Sequence, residues 1–230
     1  MRKEAAQEWR ITMKKVDLHV HSTYSDGTNT PKELIKLAEN EGLSAIALTD
    51  HDTLDGIPDA LDAAKNSSVE LIPGVELSTN FNNTEVHIVG LFLDHNNKQI
   101  NDYLIYQRQS RIDRNIQMCE RFCDIGINIT YDKMCELYPD AVITRAHFAD
   151  YLVKNKYTGD RNEAFDRYLS PGKPCFVNRH KVDPEEAIAV IHKAHGAAIL
   201  AHPVLYHLGK DQMNALLEHV CSAGIDGIEA

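Results

Sequence analysis

Five short apolar runs recur along the chain, and each ends in or beside an ionisable side chain: "VDLHVH" (16–21), "SAIALTDHD" (44–52), "VELIPGVELS" (69–78), "GAAILAHP" (196–203) and "GIDGIEA" (224–230). Between them lie helices with legible starts. Thr30 as N-cap, Pro31 at the first helical position and Glu33 as the capping-box partner predict a helix that ends near Gly42. Asp183, Pro184 and Glu186 open another that closes near Gly196. Strands alternating with helices predict a parallel α/β arrangement. In barrels of that kind the chemistry lies at the C-terminal ends of the strands, where these ionisable groups fall.

The alternation breaks over residues 97–181. "NKQINDYLIYQRQSRIDRNIQMCERFCDIG" predicts one long helix ending at Gly126, followed by shorter helical pieces at 130–138, 144–156 and 161–169. This segment is expected to be a helical insertion covering the active site, with residues 16–96 and 182–230 forming the barrel. Charge divides the same way: residues 98–181 carry a net +3 and the remainder −13, for −10 overall. An acidic part able to hold cations is thus joined to a mildly basic part able to hold an anion, and a surface that coats long nucleic acids is disfavoured. With 43% hydrophobic residues, the 230-residue chain can bury a full core. No run of 18 apolar residues predicts a membrane span, and "MRKEAAQEWRITMKK" is expected to be a solvated leader. Five cysteines without a CxxC spacing predict reduced thiols and a cytoplasmic setting.

The stretch "VDLHVHSTYSDGT" carries the densest chemistry. On a strand of period two, Val16, Leu18 and Val20 face one way, and Asp17, His19 and His21 the other. Both imidazoles are then close enough to bind one ion, and Asp26 follows in a Ser-Asp-Gly turn that can fold it back. A half-exposed strand with solvated histidines is the plain alternative for this stretch alone. The other runs add His51, Glu76 and His202, and His87 appears in "TEVHIVGLF". Nitrogen and carboxylate ligands without thiolate suit zinc, manganese or iron, and Glu76 can bridge two ions. His87 lies at the start of its run and fits the strand-end pattern poorly, so either its strand or the preceding loop would need to enter the site from another direction. Most of the remaining histidines, His180 among them, are expected on the surface or in packing.

"DLHVHSTYSDGT", "ALTDHDTLDGI", "IPGVELS", "EVHIVGL" and "ILAHP", in that order, resemble the polymerase and histidinol phosphatase (PHP) family of metal-dependent phosphoesterases. "TRAHFADYLV" and "PGKPCFV" are similar to its TrpH-like branch. The resemblance implies an α/β fold, a distorted (β/α)7 TIM-like barrel, with two or three divalent ions (Mn, Zn, Fe or Mg) at the strand ends. His19 and His21 would hold a first metal, His87 and His202 a second, Glu76 would bridge the two, and Asp26 and His51 would hold a third. The family also has a late Asp-x-His motif serving the first and third metals. This chain runs to "AGIDGIEA" without it, so it is expected either to be a fragment or to replace those ligands.

Two close ions would lower the pKa of a shared water and aim the resulting hydroxide at phosphorus, with no side-chain nucleophile. His19, His21 and Glu76 then carry the catalysis. Asp52 would serve either as a proton shuttle or, as we favour, to orient His51. Asp17, on the same strand face as the two histidines and deeper in the barrel, is expected to play a supporting rather than a catalytic role. Arg145, His147 and Lys173 are the expected substrate grip, whereas Arg111 and Arg114 read at least as well as a solvated helix face.

The expected activity is hydrolysis of nucleotide phosphate esters, as a nucleoside 3′,5′-bisphosphate phosphatase or a 5′ to 3′ exonuclease on short oligonucleotides. The alternatives are a histidinol-phosphate-type phosphatase and an inert metal-binding module. No protein partner and no membrane association are expected.

Overall fold

The computed structural model describes residues 14–179 and 182–230; the first 13 residues of the expected leader and His180 lie outside them, while Lys15 at the leader's end opens the first strand. The described strands are β1 (Lys15–Val20), β2 (Leu43–Leu48), β3 (Glu70–Phe81), β4 (Thr84–Leu91), β5 (Ala197–Leu200) and β6 (Gly227–Ile228). They form one curled six-stranded sheet in sequence order, β1 to β6. This curled mixed α/β half-barrel is consistent with the distorted TIM-like barrel expected, and among the described residues its ring is not closed.

The sheet is also mixed rather than parallel. β1, β2 and β3 run parallel, and so do β5 and β6, but β4 is antiparallel to both β3 and β5. The cause is the turn between β3 and β4, where Asn82 and Asn83 both take positive φ, 48° and 66°. Two left-handed residues in succession make the tight turn whose twist matches a hairpin, and asparagine tolerates that backbone well. The turn puts the start of β4 beside the end of β3, and His87 therefore enters the site from the opposite direction to the other candidates.

Helices α1 (Pro31–Asn40), α2 (Ile57–Ala64), α7 (Pro184–Lys193) and α8 (Lys210–Ser222) carry the connections around the sheet. Thr30 and Glu33 complete the reciprocal capping box of α1, and the Asp183 side chain caps α7 at Glu185 N–H. The main core joins Leu34, Ile46, Leu48, Val75, Leu77, Ile88 and Ile188, and it recruits Ile100 and Leu104 from the first turns of α3 (Lys98–Asp124). A second cluster, with Met118, Phe122, Ile129, Phe148 and Leu152, lies wholly between residues 118 and 177. It packs the C-terminal half of α3 against α4 (Tyr131–Leu137), α5 (Arg145–Lys154), α6 (Arg161–Ala164) and the π-turn at 165–169.

β1 departs from the buried strand its apolar residues suggest. Val16 is 51% and Leu18 37% exposed, because β1 pairs only with β2 and nothing described covers its outer side. Its register against β2 shifts between Asp17 and Val20, the interval that carries His19. Such irregularities commonly re-aim a side chain next to an active site.

Candidate metal centre

Glu76, in the middle of β3 and 1% exposed, organises the strand ends. Its Oε2 lies 3.3 Å from His19 Nε2, 3.1 Å from His21 Nε2 and 3.0 Å from His51 Nδ1. Its Oε1 lies 2.7 Å from His87 Nδ1 and 2.8 Å from His202 Nε2. Five imidazoles from four other segments thus converge on one buried carboxylate. Asp26 stands at the rim, with Oδ1 3.6 Å from His21 Nδ1 and Oδ2 3.5 Å from His51 Nε2, and Thr144 Oγ1 donates to its Oδ2 at 3.0 Å. The turn that returns Asp26 needs Gly27, where a Cβ would come within 2.1 Å of the His21 carbonyl oxygen.

Three groups bring ligand atoms within 4.8 Å of one another: His19, His21 and Glu76; His21, Asp26 and His51; and His51, Glu76 and His87. The seven candidates are therefore brought together, with His202 joined to the cluster through Glu76 Oε1. The donor atoms fit divalent ions. His19 Nε2 and His21 Nε2 face each other at 3.1 Å beside the same carboxylate oxygen. Buried His51 Nδ1 and His202 Nδ1 have no hydrogen-bond partner among the described residues, although His51 Nδ1 is within 3.0 Å of Glu76. Imidazole and carboxylate without thiolate is a donor set for zinc, manganese or iron.

Electrostatics favour ligand-ready forms on part of the cluster. Burial alone would raise the Glu76 carboxyl, but His51 and His87, with hydrogen bonds from His19 and His202, hold it well below the usual carboxylate range. Asp26 is likewise lowered to about 2, the imidazoles of His51 and His21 overcoming its burial. Burial pushes His51 down to about 4, keeping its imidazole neutral. His87 goes the other way, to about 10, because Glu76 and Glu85 outweigh its burial. His202, with φ of 26°, and Asp52, with φ of 51°, hold backbone conformations that non-glycine residues rarely adopt. Each is pinned by its amide, His202 N–H to Glu229 Oε2 at 2.7 Å and Asp52 N–H to the Glu76 carbonyl at 3.0 Å.

Asp52 corrects one expectation. Its carboxylate does not reach His51; it accepts from Ser78 N–H at 3.0 Å, Arg111 Nε at 3.2 Å and Arg179 Nη1 at 2.7 Å. Fully buried and saturated by two guanidinium groups, it fastens the strand end to the helical segment, and it has no access for proton shuttling. Arg111 and Arg114 correct another: both are buried rather than on a solvated face, at 5% and 4% exposure.

Of the expected substrate grip, Arg145 is half-buried and paired with Glu85, with its guanidinium 5.5 Å from the Phe176 ring centre. His147 Nδ1 accepts from Thr144 N–H at 2.9 Å as part of the α5 cap, and its ring shares a cavity wall with Asp26. Lys173 is exposed in the turn after Gly172, whose φ is 81°. Three residues escaped sequence reasoning. Glu229 Oε1 lies 2.8 Å from His19 Nδ1, Glu85 Oε1 lies 3.3 Å from His87 Nε2, and Arg179 meets Asp52. Glu229 ends one of the apolar runs and Glu85 shares a strand face with His87, so both had a signal; Arg179 had none.

A mixed α/β scaffold that gathers imidazoles and carboxylates around one buried glutamate at its strand ends is the framework of a metal-dependent hydrolase. Comparison with known proteins narrows the class. Residues 17–198 match the PHP domain family. The chain is 41% identical over 216 residues to a 5′-3′ exoribonuclease of Haemophilus influenzae, covering 94% of this chain and 78% of that protein. It is 36% identical over 220 residues to a 3′,5′-nucleoside bisphosphate phosphatase of Chromobacterium violaceum, covering 94% and 76%. A solved structure of an amidohydrolase from C. violaceum, with bound sulfate and no metal, superposes with a TM-score of 0.88 at 35% identity, covering 93% of this chain and 76% of that one. The chain belongs to the PHP family, and it is an enzyme, a metal-dependent hydrolase of phosphate esters.

Proposed function

We propose that this protein hydrolyses phosphate esters of nucleotides, with nucleoside 3′,5′-bisphosphates as the favoured substrate. The observation that carries the reading is the convergence of five imidazoles on the two oxygens of Glu76. In this reading His19 and His21 would hold one divalent ion, His87 and His202 a second, and Asp26 and His51 a third, with Glu76 as a carboxylate ligand shared by the first two. Bound ions of this kind supply a water ionised near neutral pH and a counter-charge for phosphoryl oxygens. The chain's own residues do the rest. Glu76 fixes the spacing of the imidazoles, Asp26 is held at the rim by Thr144, and Arg145 holds the Glu85 carboxylate that stands beside His87.

The helical segment 97–181 is read as the substrate-gripping cover of a barrel formed by 16–96 and 182–230. The relative that shares 36% of its residues is a bisphosphate phosphatase, and sulfate in the C. violaceum structure is a tetrahedral anion like phosphate. The exoribonuclease of H. influenzae favours a second reading, stepwise 5′ to 3′ removal of nucleotides from short oligonucleotides. The net charge of −10 suits small substrates better than long ones. No described helix is long and apolar enough to cross a membrane, and the five cysteines are free thiols, which suits the cytoplasmic placement this reading assigns.

The test is release of inorganic phosphate from a nucleoside 3′,5′-bisphosphate with added manganese, beside a His19→Ala control. Release by the wild type that is lost in the control is expected. Equal release by both proteins would overturn the assignment of the centre, and release only from short oligonucleotides would transfer it to the second reading.

A further inference from the structure

Four guanidinium groups lie together where α3, the start of α5 and residue 179 meet the sheet: Arg111, Arg114, Arg145 and Arg179. Two carboxylates answer them. Asp52 takes Arg111 and Arg179, and Glu85 takes Arg145. Arg114 is left over. Its Nε donates to the neutral amide oxygen of Asn115 at 2.9 Å, while its Nη2 is buried without a partner among the described residues. Burial, then Arg111 and Arg145 beside it, push its pKa down, with Glu85 opposing. A guanidinium nevertheless keeps its proton in proteins, so a buried charge remains that no carboxylate pairs directly among the described residues, Glu85 acting only from a distance.

Arg114 and Arg179 line one cavity of about 280 Å³, together with Ser110, Gln117 and Asn178, and with Asp113 as its one carboxylate. Asp113 accepts from Gln109 at 2.9 Å. Most of the lining therefore offers N–H or O–H donors, and the volume is at the lower end of small-ligand sites. The cluster also abuts the candidate metal centre through two short links. Glu85 joins Arg145 to His87, and Asp52, which holds Arg111 and Arg179, is the residue after His51.

We infer that Arg114, with Arg179 and Asn178, forms an anion subsite that takes a second phosphoryl group of the substrate, the one that is not hydrolysed. The inference rests on the nucleotide reading above. A phosphoryl group there would set a negative charge beside the unpaired guanidinium of Arg114, a charge-assisted contact of the kind arginine favours. It also gives a reason for keeping a charge that a folded chain would otherwise be better without. The same chemistry is offered by the second phosphate of a bisphosphate, by the next phosphodiester of a short oligonucleotide and by free inorganic phosphate.

The test uses Arg114→Met, which keeps the bulk and removes the charge, and Asn178→Asp, which places a negative charge on the exposed cavity lining. Binding of a nucleoside 3′,5′-bisphosphate and of inorganic phosphate is measured by calorimetry on the metal-stripped proteins, so that this readout does not depend on turnover. KM is then measured on the metal-loaded proteins for the bisphosphate, for a short oligonucleotide and for the monophosphate carrying only the removed group. Both variants are expected to weaken bisphosphate binding and raise its KM roughly tenfold or more, as expected for lost charged hydrogen bonds. KM for the monophosphate should stay within about twofold, and Arg114→Met should melt no lower than wild type in phosphate-free buffer.

A rise for the oligonucleotide alone would identify a diester as the occupant. Loss of inorganic phosphate binding with every KM unchanged would leave only an adventitious anion site and overturn the substrate role. Unchanged bisphosphate affinity in folded Asn178→Asp would overturn the subsite even if Arg114→Met failed to fold. Wild-type protein that binds the bisphosphate through Arg114 without hydrolysing it would instead overturn the activity and leave the subsite standing.

Discussion

Glu229 Oε1 lies 2.8 Å from His19 Nδ1, while the other oxygen of the same carboxylate accepts the His202 N–H at 2.7 Å. One residue just beyond β6 thereby fixes two segments that carry candidate ligands. A carboxylate on Nδ1 selects the tautomer that leaves the Nε2 lone pair free, and His19 Nε2 is the atom that faces Glu76. Glu229→Gln should keep the shape and lose the charge. Metal affinity, measured by competition with a chromogenic chelator, is expected to fall about 10- to 100-fold. Affinity equal to wild type would mean that Glu229 is only a backbone anchor for His202.

Glu76→Gln tests the centre itself. The amide keeps the volume at a site that is 1% exposed, but it places a donor nitrogen among imidazole nitrogens and removes the charge that draws them together. Turnover is expected to drop by at least ~100-fold, with metal content falling in parallel by elemental analysis. Full metal content with full turnover would remove Glu76 from the bridging role.

Removal of the ions should cost stability as well as activity. A ligand that binds only the folded chain, at about 100 times its Kd, adds roughly 2.7 kcal/mol. For a chain of this size that corresponds to about 5–10 °C in Tm. Chelation followed by gel filtration should therefore lower the melting temperature by this amount and abolish phosphate release, and manganese should restore both. A Tm indifferent to chelation and re-addition would count against any ion at the strand ends.

Local chemistry was legible in the sequence, whereas long-range contacts were not. The starts of α1 and α7 follow from Thr30 with Glu33 and from Asp183, because a cap is made by residues three or fewer apart. The long helix could be read to its end at Gly126, whose φ is 81°. His19, His21 and Asp26 fall together because they are nearly consecutive. The position of His87 at the start of its run points to an entry from another direction, but the antiparallel course of β4 itself depends on the Asn82-Asn83 turn, and the apolar runs alone suggest uniform alternation. The placement of Asp52 depends on arginines 59 and 127 residues away, and that of Glu229 on a histidine 210 residues away. No local spacing carries such information.

Asp226 offers a pH test away from the cluster. Its carboxylate accepts Ala198 N–H at 2.8 Å and stands 2.8 Å from His192 Nε2, tying the turn before β6 to β5 and α7. The Ala198 amide first, and His192 next, hold its pKa below the ordinary aspartate value, against a small opposing effect of burial. A carboxyl depressed on folding contributes stability that is fully present above its unfolded value of about 3.9 and is lost as pH falls through the lower folded value. Wild type should therefore melt higher than Asp226→Asn at pH 6, and the two curves should converge as the pH is lowered through 4 toward 2. The side chain is 45% exposed and water screens it, so the gap at pH 6 is expected to be at most ~1 kcal/mol, or about 2–4 °C. Taking the difference between the two proteins cancels the titration of the imidazole cluster, which both share. No gap at pH 6 would show that Asp226 acts through acceptor geometry that asparagine also supplies, and a gap that persists unchanged down to pH 2 would show that its contribution does not come from the charge.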